Sequence, residues 1–212
     1  MTETTAAKRS RRERKGRVSD VIAPGLDALF VGINPDAVSA RTGHHFANRA
    51  NPFWRLLHEG GLVREPLTAA EEHELLDQRL GITNLVPRAT AGVAALTRHD
   101  LDRGREMLAE KIRRYRPQAV VFVGLTAYAA FERRKRPRTG PARPPGRSAR
   151  AAVKRRGAAR RATRRVTCGE QPDRFAGARV FVVPNPSGRN AHFTRLQMRG
   201  AFRGVARALG RG

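Results

Sequence analysis

The chain has 212 residues, enough for one full α/β domain with a sizeable core, and its 43 Lys and Arg against 18 Asp and Glu give a net charge of +25. A field of that sign points to a polyanionic partner, nucleic acid first. A lone Cys168 excludes an intramolecular disulfide framework and any four-cysteine zinc or iron–sulfur site, and no apolar run approaches the roughly 20 residues of a membrane helix.

Residues 1–18 hold seven Lys or Arg and two acids without apolar periodicity. They cannot offset the entropy of ordering and read as a disordered basic arm. Residues 19–212 read as a single domain. Ala28-Leu29-Phe30-Val31-Gly32-Ile33 is a continuous apolar run, as in a strand buried on both faces, and it ends on Asn34-Pro35. Asn51 followed by Pro52 starts a helix with Phe53, Trp54, Leu56 and Leu57 on its apolar face, and Gly60-Gly61 stops it. Thr68 and Glu71 have the spacing of a capping box for a second helix.

Residues 81–86 read as the next strand, and Leu101, Met107, Leu108 and Ile112 recur at roughly helical spacing. A third strand covers 119–123, and a helix opens behind Gly124. Residues from about 133 to 167 are dominated by Arg, Ala, Pro and Gly with no core-forming pattern, and read as a disordered Arg-rich insertion. Fifteen Lys or Arg and no acid fall within 133–165, yet Arg outnumbers Lys 38 to 5, as in GC-rich coding, so the alternative reading of these tracts is as solvated tails. Residues 180–183 form a fourth strand, and Thr194 with Gln197 caps the last helix. Strands alternating with helices specify a sheet covered on both faces. The expected fold is a three-layer α/β/α sandwich with a short, mainly parallel four-stranded sheet.

In such a sheet, ligands bind outside the carboxyl ends of the strands, which favours the loops Gly32-Ile33-Asn34-Pro35 and Val183-Pro184-Asn185-Pro186-Ser187-Gly188-Arg189-Asn190. Each alone reads as a turn. Together, GINPDAVSARTGHHFANRANPFWRLLHEGG and, about 150 residues after its start, VPNPSGRNAHFTRL resemble the mismatch-specific uracil/thymine-DNA glycosylase family of the uracil-DNA glycosylase superfamily. The resemblance covers residues 22–131 and 178–209, including GITNLV and PQAVVFVG, and leaves out the arm and the insertion.

The resemblance implies a catalytic Asn34 that holds the attacking water. An amide cannot take a proton, so Asn34 is expected to position water, and the chemical rate to be modest. The base pocket would comprise Ile33, Ser39, Phe46, Asn84 and Asn185. Phe46 would stack on a flipped base, its alternative being a core residue under the loop. Asn84 would bind water or base, unless it only forms a turn. Ser39 would flank the pyrimidine C5 edge. Where stronger relatives carry His, this chain has Asn185, a weaker electrophile. Pro186, Ser187, Gly188, Arg189 and Asn190 would form the wedge and phosphate contacts. Arg189 replaces the Leu of some members and either plugs the vacated stack, as expected, or clamps a phosphate.

The function implied is hydrolysis of the N-glycosidic bond of uracil mispaired with guanine, with thymine or ethenocytosine as further substrates, by a monofunctional enzyme of base excision repair. The partner would be double-stranded DNA with mismatched or damaged pyrimidines, with no membrane and no cofactor. No metal is expected, because His44, His45 and His192 lack metal-site spacing. Trp54 is read as a core residue. A cytoplasmic monomer is expected, nucleoid-associated if bacterial. The rival reading is a noncatalytic DNA-binding protein on the same fold, which would not need Asn34, Phe46 and the NPSG loop together.

Overall fold

Three strands, β1 (Ala28–Gly32), β2 (Leu80–Asn84) and β3 (Ala119–Val123), are five residues long and buried at every position. Such strands carry apolar side chains on both faces, so both faces need a cover. The computed structural model describes residues 16–90, 93–132, 167–187 and 192–211. With β4 (Gly169–Phe175) and β5 (Ala178–Val183) the strands form one sheet in the order β2-β1-β3-β5-β4. The first four in that order are parallel, and β4 is antiparallel to β5.

The alternation of side chains along each strand divides the core into two clusters. On one face Phe30, Ile82, Val121 and Phe181 pack beneath α2 (Phe53–Glu59) and α5 (Arg195–Ala208), with Phe53 and Phe202 at the centre. On the other, Leu29, Val31, Val120, Phe122 and Val182 meet α3 (Arg98–Tyr115) and α4 (Leu125–Glu132). The result is the α/β/α sandwich expected. A six-residue helix, α1 (Ala37–Thr42), lies in the loop after β1, and Ala69–Leu75 and Val93–Ala95 are 3-10 turns.

The sheet has five strands, not four. β4 reads Gly-Glu-Gln-Pro-Asp-Arg-Phe, polar and largely exposed, so its sequence carries no apolar alternation. It exists because Ala176 and Gly177, both at positive φ, turn the chain back onto β5. Pro172 is tolerated there because the strand is at the edge, where the pairing register shifts between Gln171 and Phe175. The segment signalled by Thr68 and Glu71 has its capping box but closes as a 3-10 helix rather than an α-helix.

The basic arm, read as 1–18, is shorter at its inner end. Arg17 forms an antiparallel bridge with Arg88, the Val18 N–H donates to the Pro87 carbonyl at 3.3 Å, and Val18 is buried. Residues 1–15 and 133–166, the rest of the arm and nearly all of the insertion, lie outside the described residues.

Candidate active site

The carboxyl ends of β1, β2, β3 and β5 converge on one edge of the sheet. Gly32 at the end of β1 pairs with Asn84 at the end of β2, and Val123 of β3 pairs with Val183 of β5. The Leu85 and Val86 N–H groups donate to the carbonyls of Gly32 and Ile33, each at 2.8 Å, and the Gly124 N–H donates to Val183 at 2.8 Å. These bonds extend the ladder past the strands and hold the loops rigidly.

Asn34 stands one residue beyond that ladder and is half-buried. Its Nδ2 donates to the Thr90 hydroxyl at 3.0 Å and to the Pro35 carbonyl at 3.1 Å. Both amide N–H groups are thereby used. The Asn34 Oδ1 has no hydrogen bond among the described residues and is an acceptor aimed away from these partners. Thr90, absent from the sequence reading, sits in the loop after β2. That loop is clamped between the chain start and α3: the Ala89 N–H donates to Gly16 at 2.9 Å, and Arg88 pairs with Asp100 at 2.6 Å. Asp100 is the capping-box residue of α3, and the Thr97 hydroxyl, the Thr97 N–H and Arg88 hold its carboxyl down at about 2. No sequence signal marks Thr90, since its link to Asn34 spans 56 residues.

Gly32 explains why Asn84 and Phe46 belong to the same place. A Cβ on Gly32 would lie 2.5 Å from Asn84 Oδ1 and 3.2 Å from Phe46 Cζ, so only glycine leaves room for both. Asn84 is 6% exposed, and its side-chain amide makes no hydrogen bond among the described residues. A polar group so placed is normally satisfied, by protein, water or ligand. The Phe46 ring stacks on Phe53 at 4.1 Å with 22° between planes, and remains partly exposed. One face of the ring thus packs on the core beside the ends of β1 and β2.

The other expected pocket residues divide. Ser39 is buried, and its hydroxyl accepts the Ala47 N–H at 3.1 Å, so it pins the loop next to Phe46. Ile33 packs against the core cluster on the opposite face of the sheet from Phe46. Asn185 is exposed next to Gly124, and its Oδ1 accepts the Ser187 N–H at 3.1 Å, closing a turn. Pro186 is buried and Ser187 half-buried. Gly188, Arg189 and Asn190 lie outside the described residues.

His44 and His45 are committed to a carboxylate, Glu72, which sequence reading missed. Its Oε1 lies 3.1 Å from His44 Nδ1, while Oε2 lies 2.9 Å from His45 Nδ1 and accepts the His45 N–H at 2.8 Å. Trp54 is buried as expected and donates its Nε1–H to the His45 carbonyl at 3.1 Å. Burial pushes the Glu72 carboxyl up, but the hydrogen bonds and charge from His45, with His44, outweigh it and hold the group below the usual carboxylate range. A depressed folded-state value means that the ionised carboxylate adds stability above the unfolded carboxylate range, which is lost as pH falls through the folded value. Thermal unfolding followed between pH 7 and pH 3 is therefore expected to show Glu72→Gln less stable than the parent at neutral pH, the gap closing as acid protonates Glu72. A constant gap across that range would refute the assignment.

At the opposite, amino-terminal edge of the sheet a cavity of about 610 Å³ is lined by Asp27, Gln78, Arg79 and Arg211 among others. Within it Asp27 pairs with Arg79 at 2.8 Å and with Arg211 at 2.7 Å.

An α/β/α sandwich whose strand ends present an asparagine amide, a stacked aromatic ring and a second asparagine defines the class of protein. Residues 19–208 match the family model of the uracil DNA glycosylase superfamily, and the chain belongs to that superfamily. The fold is also similar to the solution NMR structure of a candidate uracil DNA glycosylase from Methanosarcina acetivorans. That likeness has a TM-score of 0.50 at 16% sequence identity, over 90% of this chain and 98% of the other. Membership supports a DNA glycosylase, with DNA as its partner.

Proposed function

We propose that the protein is a monofunctional glycosylase of base excision repair that hydrolyses the N-glycosidic bond of uracil opposite guanine in duplex DNA. Thymine and ethenocytosine opposite guanine are further candidate substrates. The observation that carries this reading is the Asn34 amide, held by Thr90 and Pro35 through its nitrogen so that Oδ1 is left as an acceptor at the strand edge.

Such an oxygen accepts a hydrogen bond from water and leaves a lone pair of that water free to attack C1′ as the glycosidic bond breaks. Asn34 takes no proton in this step: the proton that the water loses on bonding to C1′ passes through solvent, and the base that leaves as an anion is the group that gains one. Its contribution is orientation, which is where an enzyme without a general base gains rate. Phe46 offers a π-face to a base rotated out of the stack. The Asn84 amide can hydrogen-bond water or the polar edge of that base. Negative charge developing on the leaving base would be met by backbone N–H groups and the Asn185 amide rather than by a charged side chain.

Base release from a G·U duplex is expected to be faster than from A·U, because a wobble pair costs less to open. Labelled duplexes containing G·U, A·U or G·T, and single-stranded uracil, incubated with the protein and then cleaved at abasic sites by alkali, measure this. Equal rates on G·U and A·U would remove the mismatch preference, and no cleavage of any substrate would favour a noncatalytic DNA-binding protein.

A further inference from the structure

We infer that Glu72 is a positioning residue for this site: by gripping His44 and His45 it sets Phe46 as the platform for a displaced base. The inference rests on the glycosylase reading for what Phe46 does, but its structural half stands alone.

Glu72 is 3% exposed on the 3-10 turn Ala69–Leu75, and among the described residues the side chains within hydrogen-bond reach of its carboxylate are the two histidines. A buried carboxylate is expensive, and an apolar side chain would serve packing better. The costs gather in one short loop. Phe46 has a φ of +49°, a left-handed backbone unfavourable for an aromatic residue, and the buried Nε2 of His45 has no hydrogen-bond partner among the described residues. Such outliers persist only where the surroundings over-determine them, as they do where a side chain must be aimed.

The restraints bracket Phe46 on both sides. On the preceding residue, Glu72 accepts the His45 N–H and binds its ring, while Trp54 donates to its carbonyl. On the following residue, the Ala47 N–H is held by Ser39. The ring itself lies on Phe53. Of these restraints, only Glu72 reaches both histidines, and it comes from an element outside the motif that carries Phe46.

A double-mutant cycle tests the coupling, since residues that act through one another give non-additive effects. Single-turnover base release from G·U would be measured at saturating protein for the parent, Phe46→Ala, Glu72→Ala and the double variant. Phe46→Ala is expected to cost about 10- to 100-fold, as for a lost base–aromatic stack. Glu72→Ala should cost roughly 10-fold on its own but less than about twofold in the Phe46→Ala background. Affinity for undamaged duplex should be unchanged in all. Glu72→Gln, isosteric with one carbonyl acceptor kept, should retain intermediate activity and serves in place of Glu72→Ala if that variant does not fold.

A second readout needs no catalysis. Hydrogen exchange at the Ala47 amide should accelerate at least 10-fold when Glu72 is replaced and much less when Phe46 is. Additive rate effects, or an unchanged Ala47 exchange rate, would overturn the inference. If the parent releases no base from any duplex, the glycosylase reading falls, and the exchange experiment alone still decides whether Glu72 sets Phe46.

Discussion

Asn34→Ala is expected to lower single-turnover base release by about 10²-fold while leaving affinity for duplex DNA within about twofold, because it removes an orienting acceptor and no phosphate contact. That loss corresponds to about 2.7 kcal/mol of barrier. The structure sharpens the forecast through Thr90, whose hydroxyl holds Asn34 Nδ2 at 3.0 Å. Replacing Thr90 by Val keeps the shape but removes the acceptor, so the amide loses its fixed orientation. Thr90→Val should therefore fall between the parent and Asn34→Ala, and should cost little more once Asn34 is already Ala. Near-parental release by Asn34→Ala, measured on G·U duplex with protein in excess, would take Asn34 out of the chemistry altogether.

Gly104→Ala is expected to be the most disruptive conservative change in the scaffold, at about 1–3 kcal/mol and roughly 5–10 °C in melting temperature. A Cβ there would lie 2.3 Å from the Leu85 carbonyl oxygen, and Leu85 cannot retreat because its own N–H is bonded to Gly32 at 2.8 Å. Helix α3 would have to lift from the loop after β2. Alanine's helix propensity, worth up to about 1 kcal/mol over glycine, opposes but does not cancel this. The same substitution at Gly200 or Gly204 of α5, where a Cβ meets nothing within 4 Å, should be neutral or stabilising. Because the displaced loop carries Thr90, Gly104→Ala should also slow base release. Calorimetric melting of the three variants separates the cases, and an unchanged transition for Gly104→Ala would contradict the close packing.

How much was legible in advance depended on how local each signal is. β1, β3 and β5 announce themselves as apolar runs, since a strand buried on both faces carries mostly apolar residues, and β2 keeps that character at Leu80 and Ile82 while ending on the buried polar pair Thr83 and Asn84. The cap of α5 was visible because Thr194 and Gln197 are three residues apart. β4 was not, for an edge strand is held by its turn and backbone pairing, and its Glu170–Arg179 pair crosses between strands. α1 was missed for a similar reason: six residues capped by Asp36 and stopped by Gly43 are too few to show a stripe.

The site divides along the same line. Asn34 was named because its loop follows a strand of a parallel sheet and resembles the family's GINP motif, and Phe46 and Asn84 were named through the family resemblance of the short motifs that carry them. Ser39 was named in the same way, and the structure adds that its hydroxyl oxygen accepts the Ala47 N–H.

By itself, then, the sequence determined the layered architecture, the superfamily resemblance and the strand-end residues, all encoded in contiguous patterns whose period or spacing a fold cannot change. Only the tertiary structure decided the rest: that Thr90 orients Asn34, that Gly32 is empty so that Asn84 and Phe46 can share its space, and that Glu72 restrains the two histidines flanking Phe46. Each of these joins residues 14 to 56 positions apart by a hydrogen bond or a steric limit. A chain encodes such pairs only through the distance between two elements, and that distance exists once the sheet has brought their ends together.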